Sequence, residues 1–95
     1  MTEAEKFYDE EVAPVLMELA RKCEGANLSM VCVVEWTPGD VGKTMTVRAG
    51  AGIGLRQTYW AALANGNADL LIGQMVKHGK EHGHNSAFLH LIERA

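Results

Sequence analysis

Residues 28–36 read Leu-Ser-Met-Val-Cys-Val-Val-Glu-Trp, and this run constrains the fold more than any other segment. It is apolar, rich in β-branched side chains and too short for a good helix, so it predicts a strand. The following stretch, Thr37-Pro-Gly-Asp-Val-Gly-Lys43, predicts a turn, because Pro38, Gly39 and Asp40 bend the chain. Thr44-Met-Thr-Val-Arg-Ala49 then alternates apolar and polar residues, as a second strand does. The two strands make a hairpin. A lone two-stranded hairpin is barely stable in water and keeps exposed edges. Helices must cover it, or two chains must pair their hairpins. Met30, Val31, Cys32, Val33 and Val34 are apolar on both sides of the first strand. Such a strand needs both faces or an edge covered, and a homodimer is the expected partner arrangement.

The segments on either side read as helices. Thr2 and Glu5 have the spacing of a capping box, and acids at positions 3 and 5 suit the positive end of a helix. Phe7, Val12, Leu16, Leu19 and Cys23 recur at spacings of three to five and define one apolar stripe. Pro14 interrupts it. Proline lacks a backbone donor, so a helix over about 3–23 is expected to bend or restart near residue 13. Gly25 is its expected stop. After the hairpin, Leu55 to Ala64 predicts a helix with Leu55, Tyr59, Ala62 and Leu63 on one face. Asn65-Gly66 predicts its end, and Asn67 the cap of the next helix. Leu70, Leu71, Met75 and Val76 supply that helix with an apolar face, and Gly83 ends it. Asn85 or Ser86 caps a last short helix carrying Phe88, Leu89, Leu91 and Ile92. The expected fold is therefore a single α+β domain over residues 1–95. Its order is an N-terminal helix, a β-hairpin and two to three C-terminal helices.

Charge and composition exclude several classes of function. Twelve acids oppose nine lysines and arginines, a formal net charge of −3, and the bases do not cluster. A protein that tracks phosphates needs a basic face, so nucleic acid is not an expected partner. Seven of the acids (Glu3, Glu5, Asp9, Glu10, Glu11, Glu18 and Glu24) lie in the first 24 residues, an asymmetry that can guide association. The longest apolar run falls far short of the ~20 residues of a membrane span, and the acidic, amphipathic start is unlike a signal peptide. A cytoplasmic protein is expected, with Cys23 and Cys32 as reduced, buried thiols.

Each chemical motif has a simpler structural explanation. Gly42-Lys43-Thr44 resembles the end of a phosphate-binding loop, but Thr37 stands where that loop needs glycine, and Thr44 leads into a strand. Gly50, Gly52 and Gly54 lie between a strand and a helix, and with Arg56 they form a candidate ligand-binding loop. Leu55 stands where a dinucleotide fingerprint needs its third glycine, so a tight connection explains the loop better. His78 and His82 are four apart, share a helix face, and with His84 form a candidate polar cluster. Gly79 and Gly83 loosen that segment, and no His-Glu-x-x-His arrangement is present. No metal and no cofactor is expected. Ser86, like Thr2, reads better as a cap than as a nucleophile. Trp36 and Trp60 are candidate contact residues, and at least one is expected in the core.

Four segments carry a family likeness: Val34-Glu-Trp36, the Pro-Gly-Asp turn, Gly66-Asn-Ala-Asp69 and Lys77-His-Gly-Lys-Glu-His-Gly-His-Asn-Ser86. Together they resemble small uncharacterised phage and prophage proteins of proteobacteria, over most of the chain. The resemblance implies a bacterial cytoplasm and a dispensable accessory role, exerted by binding a host or phage protein. The expected function is thus non-enzymatic, the binding of another macromolecule. The alternative is a small-ligand or nucleotide-binding protein that uses the Gly50–Gly54 loop and Arg56.

Overall fold

The computed structural model describes residues 2–83. Its elements run α1 (Glu3–Phe7), a π-helical turn (Tyr8–Val12), α2 (Ala13–Gly25), β1 (Met30–Thr37), β2 (Asp40–Thr46), α3 (Ile53–Ala64) and α4 (Ala68–His82). This is the expected α+β class, with helix, hairpin and helices in the expected order. The last short helix expected after residue 84 lies outside the described residues. The chain divides into two compact units, one up to Tyr59 and one from Trp60 onward.

The first unit is a long helix laid on one face of a hairpin. Thr2 caps the helix, its Oγ1 accepting the Glu5 amide at 3.1 Å. Pro14 does not break the helix. Instead the chain takes up a π turn just before it, in which the Ala13 amide donates to the Tyr8 carbonyl five residues back. Pro14 then falls in the first turn of α2, where its missing donor costs little. The π turn accommodates one extra residue, and this resets the phase of the helix. Tyr8 and Leu16 are eight apart, which on a regular helix is about 80° out of line. With the extra residue absorbed they share the inner side. Tyr8 is accordingly only 8% exposed, Ala20 is buried, and Val12, Leu16 and Cys23 are half-buried.

The helix runs to Gly25, two residues past the expected last turn at about 23, but Gly25 is not the residue that terminates it. The Leu28 amide donates to the Cys23 carbonyl at 2.7 Å and the Asn27 amide to the Glu24 carbonyl at 3.1 Å. This is a Schellman arrangement, and Asn27 (φ 59°) takes its left-handed position in place of Gly25. Asparagine tolerates that conformation where a branched side chain would not.

β1 and β2 pair antiparallel, with Met30 opposite Thr46, Cys32 opposite Thr44 and Val34 opposite Gly42. The second strand starts and ends earlier than expected, at Asp40 and Thr46 rather than 44 and 49. The turn shrinks to Pro38-Gly39 because Gly39 adopts φ 87°, as the third residue of a type II turn requires. Thr37 Oγ1 donates to Asp40 Oδ2 at 2.7 Å, and the Gly39 amide to Glu35 Oε2 at 3.2 Å. A register irregularity at Trp36 lets the strands close on so short a turn. Gly42-Lys43-Thr44 is thus the middle of a strand. Its glycine is there for packing: the Tyr8 ring lies directly on it, where any Cβ would sit. The Trp36 ring meets Tyr8 at 4.9 Å between centroids and 33° between planes. Tyr8, Gly42 and Trp36 therefore lock the helix to the hairpin.

In the second unit, α3 ends on Asn65 (φ 56°) and Gly66 (φ 87°), and Asn67 caps α4 by accepting the Leu70 amide on Oδ1 at 3.1 Å. Each of these roles matches its expectation. Trp60, Ala62 and Ala64 are buried, and Leu71, Ile72, Met75 and Val76 give α4 its half-buried side. Leu63 and Leu70, expected on inner faces, are instead 53% and 61% exposed. The C-terminal half of α3 reads Tyr-Trp-Ala-Ala-Leu-Ala, apolar all round, so its burial cannot be assigned by periodicity. Gly83 (φ 80°) closes α4, and the Gly83 amide donates to the Gly79 carbonyl at 2.7 Å.

Candidate functional site: an acid-flanked apolar stripe

The phase change that turns Tyr8 inward also moves Phe7. In a regular helix Phe7 and Val15, eight apart, would diverge by about 80°. The extra residue of the π turn brings them into one row, which Leu19 continues at the next i+4 position. All three are open to solvent: Phe7 and Val15 at 62% and Leu19 at 47%. Phe7 and Leu19 were expected in the core. They sit instead on the flank of the inner face, because the π turn assigns the inner row to Tyr8, Val12, Leu16, Ala20 and Cys23. Glu3 and Glu11 lie in the same exposed row at i±4 from Phe7, so Glu11 stands between Phe7 and Val15, and the exposed Glu18 lies beside the row. The result is a row of three apolar side chains interspersed with carboxylates. Isolated exposed apolar residues are ordinary, but an aligned row of them flanked by charge is the anatomy of a contact surface.

Sequence reasoning missed this stripe, although two residues signal it. Pro14 in mid-pattern marks a helix that must change its hydrogen bonding. Gly42 inside an apolar strand marks a close approach, and Tyr8 is what approaches.

The glycine loop is placed as follows. Gly50 and Gly52 lie in the connection to α3, and Gly54 is already within its first turn. The Arg56 guanidinium points back along the loop and donates to the Ala51 carbonyl at 2.8 Å and to the Ala49 carbonyl. Arg56 therefore clamps the loop. Beside it is a shallow cavity of about 240 Å³ lined by Asn27, Leu28, Ser29, Arg48, Gly50, Gly52 and their neighbours. Its cationic group is Arg48, whose amide donates to Ser29 Oγ at 3.1 Å.

Of the histidine cluster, His78 and His82 lie on α4 with ring centroids 4.7 Å apart. His78 also meets the Trp60 ring at 5.2 Å, so it is half-buried as an aromatic packing partner, whereas His82 is exposed beside Glu81 at 3.7 Å. His84 lies outside the described residues. Among the described residues no three His, Cys, Asp or Glu side chains are grouped to hold a metal ion. Trp60, Leu63, Ala64, Leu70 and Gln74 line a further cavity of about 180 Å³. Cys23 and Cys32 are both free and half-buried, more accessible than expected. Among the described residues no helix is long and apolar enough to cross a membrane.

Comparison of the chain with protein-family models, with curated proteins and with solved structures finds no match in any of the three.

Proposed function

We propose that the chain is a non-enzymatic interaction protein, and that its N-terminal helix binds another protein through the stripe of Phe7, Val15 and Leu19. The carrying observation is the alignment of three large, half-exposed or more exposed apolar side chains in one row among carboxylates. Apolar anchors in such a row supply affinity, and the surrounding charge selects the partner and speeds encounter. The complementary partner is a protein surface with apolar pockets rimmed by lysine or arginine, the helix-in-groove mode of recognition. An accessory role in a bacterial cell, which the resemblance to small phage and prophage proteins implies, forms part of this proposal.

The test uses the intact chain as bait in bacterial lysate beside a variant carrying Val15→Glu and Leu19→Glu. Both positions are exposed, so the variant is expected to keep its circular dichroism and melting point. Proteins held by the native chain are expected to be lost from the variant, and to be released as salt screens the carboxylates. Identical capture by the two would refute the reading. The cavity beside Gly50 and Gly52, with Arg48 at its wall, favours a second reading, the binding of a small anionic ligand or nucleotide. A thermal shift with nucleotides that disappears in Arg48→Ala would support that reading in place of the first.

A further inference from the structure

The hairpin poses a separate problem, at its edge. Its sheet has two strands only, and among the described residues no backbone hydrogen bond outside the hairpin reaches β1. The two edges differ. β2 carries Asp40, Gly42 and Lys43, and a charge or glycine on an edge strand discourages pairing with another chain. β1 runs through Met30, Val31, Cys32, Val33 and Val34 without a charge or a proline, its one charge, Glu35, lying toward the turn, and such a run is the pattern of a strand that pairs.

We infer that β1 pairs antiparallel with β1 of a second copy, giving a four-stranded sheet in the order β2-β1-β1-β2, with Cys32 opposite Cys32. This rests on the strand edge and not on the helix stripe, so it stands or falls independently of the binding function above. The register follows from symmetry. A two-fold axis normal to a sheet must set one residue of the strand opposite itself, because side chains alternate between faces. Centring on Cys32 pairs Met30 with Val34 and Val31 with Val33, so all five apolar residues oppose one another. Centring on Val33 instead puts Val31 against the Glu35 carboxylate, and centring on Val31 puts Val33 against Ser29. The apolar run is symmetric about Cys32 alone.

The layer dimensions agree. Two strands at roughly 4.8 Å spacing present a face about as wide as one helix, roughly 10 Å. The long helix packs on the face of its own hairpin that carries Gly42 and Trp36, so the edge stays clear of it. Joining two hairpins at β1 then sets two helices side by side on one four-stranded sheet. Such a sheet escapes the marginal stability of an isolated hairpin.

The experiment combines mass with cross-linking on the full chain. Light scattering at micromolar concentration is expected to give twice the 10.4 kDa chain mass. Directly opposed residues in an antiparallel pair have Cα atoms roughly 4.5–5.5 Å apart, within disulfide reach. In a Cys23→Ser background, diamide is expected to convert the protein to a covalent dimer. The two Cys32 thiols lose two protons and two electrons, and the diamide is reduced to its hydrazine. Val33→Lys, at an exposed position, is expected to weaken association at least tenfold while circular dichroism is unchanged. A monomer at that micromolar concentration would overturn the proposal. So would a dimer that resists cross-linking at Cys32 yet cross-links through Val33→Cys in a Cys32→Ser background, which would mean that the hairpins meet face to face.

Discussion

Replacing Gly42 by alanine tests the packing that joins helix to hairpin. A Cβ built on Gly42 falls 2.5 Å from Tyr8 Cε1 and closer still to Cζ and Oη. Carbon atoms in contact normally sit about 3.5–4.0 Å apart, so the overlap is on the order of 1 Å or more. Two responses are available. The ring can leave its site, which forfeits its burial (about 1.5–3 kcal/mol) and its stacking on Trp36 (about 0.5–1.5 kcal/mol). Alternatively the helix and strand can separate slightly, at the usual overpacking cost of about 1–3 kcal/mol. The second route is cheaper and sets the loss. Alanine recovers about 0.5–1 kcal/mol because glycine is the poorer residue within a strand. The net expectation is a destabilisation of about 1–2 kcal/mol, or a fall in melting temperature of roughly 5–15 °C for a chain of this size. Urea and thermal unfolding followed by circular dichroism would measure it. The decisive comparison is the same change in a Tyr8→Leu background. Leucine ends before the three atoms that clash, so Gly42→Ala should there be neutral or stabilising. An equal loss in both backgrounds would show that glycine is required for some reason other than the Tyr8 ring.

Three other perturbations have definite outcomes. Deleting Glu10 together with Pro14→Ala should convert the π turn to regular helix while keeping Tyr8 in line with Leu16, so the melting point should move by only a few degrees; deleting Glu18 instead puts the two ends of the helix out of phase and should prevent cooperative unfolding. Asn67→Ala removes the cap on the Leu70 amide and should cost about 1 kcal/mol in urea unfolding, and Asn67→Asp should restore most of it. Arg56→Lys cannot reach both the Ala49 and Ala51 carbonyls; faster amide exchange confined to residues 48–55 is expected, and unchanged exchange there would refute the clamp.

The elements of this protein are legible in its sequence because they depend on local chemistry. Pro38-Gly39 allows only a tight turn, Asn65-Gly66-Asn67 ends one helix and caps the next, and Thr2 has a side-chain oxygen in reach of the Glu5 amide. Each is decided within four or five residues, by the conformations a residue tolerates and the donors it can satisfy. Even Pro14 declares that the helix must change its bonding near residue 13. It does not declare how. A kink, a restart and a π turn all relieve the missing donor, and they differ in the phase of everything upstream. That choice is made by Tyr8 and Leu16 needing the same face and by the bare backbone of Gly42, 34 residues away, giving the ring a place to lie. Only the tertiary contact thus decides that Phe7 and Leu19, core residues by spacing, become part of the outer surface. The same holds for Leu63 in α3. Where a helix is apolar on every side, its own periodicity holds no information about which side is covered, and packing alone supplies it.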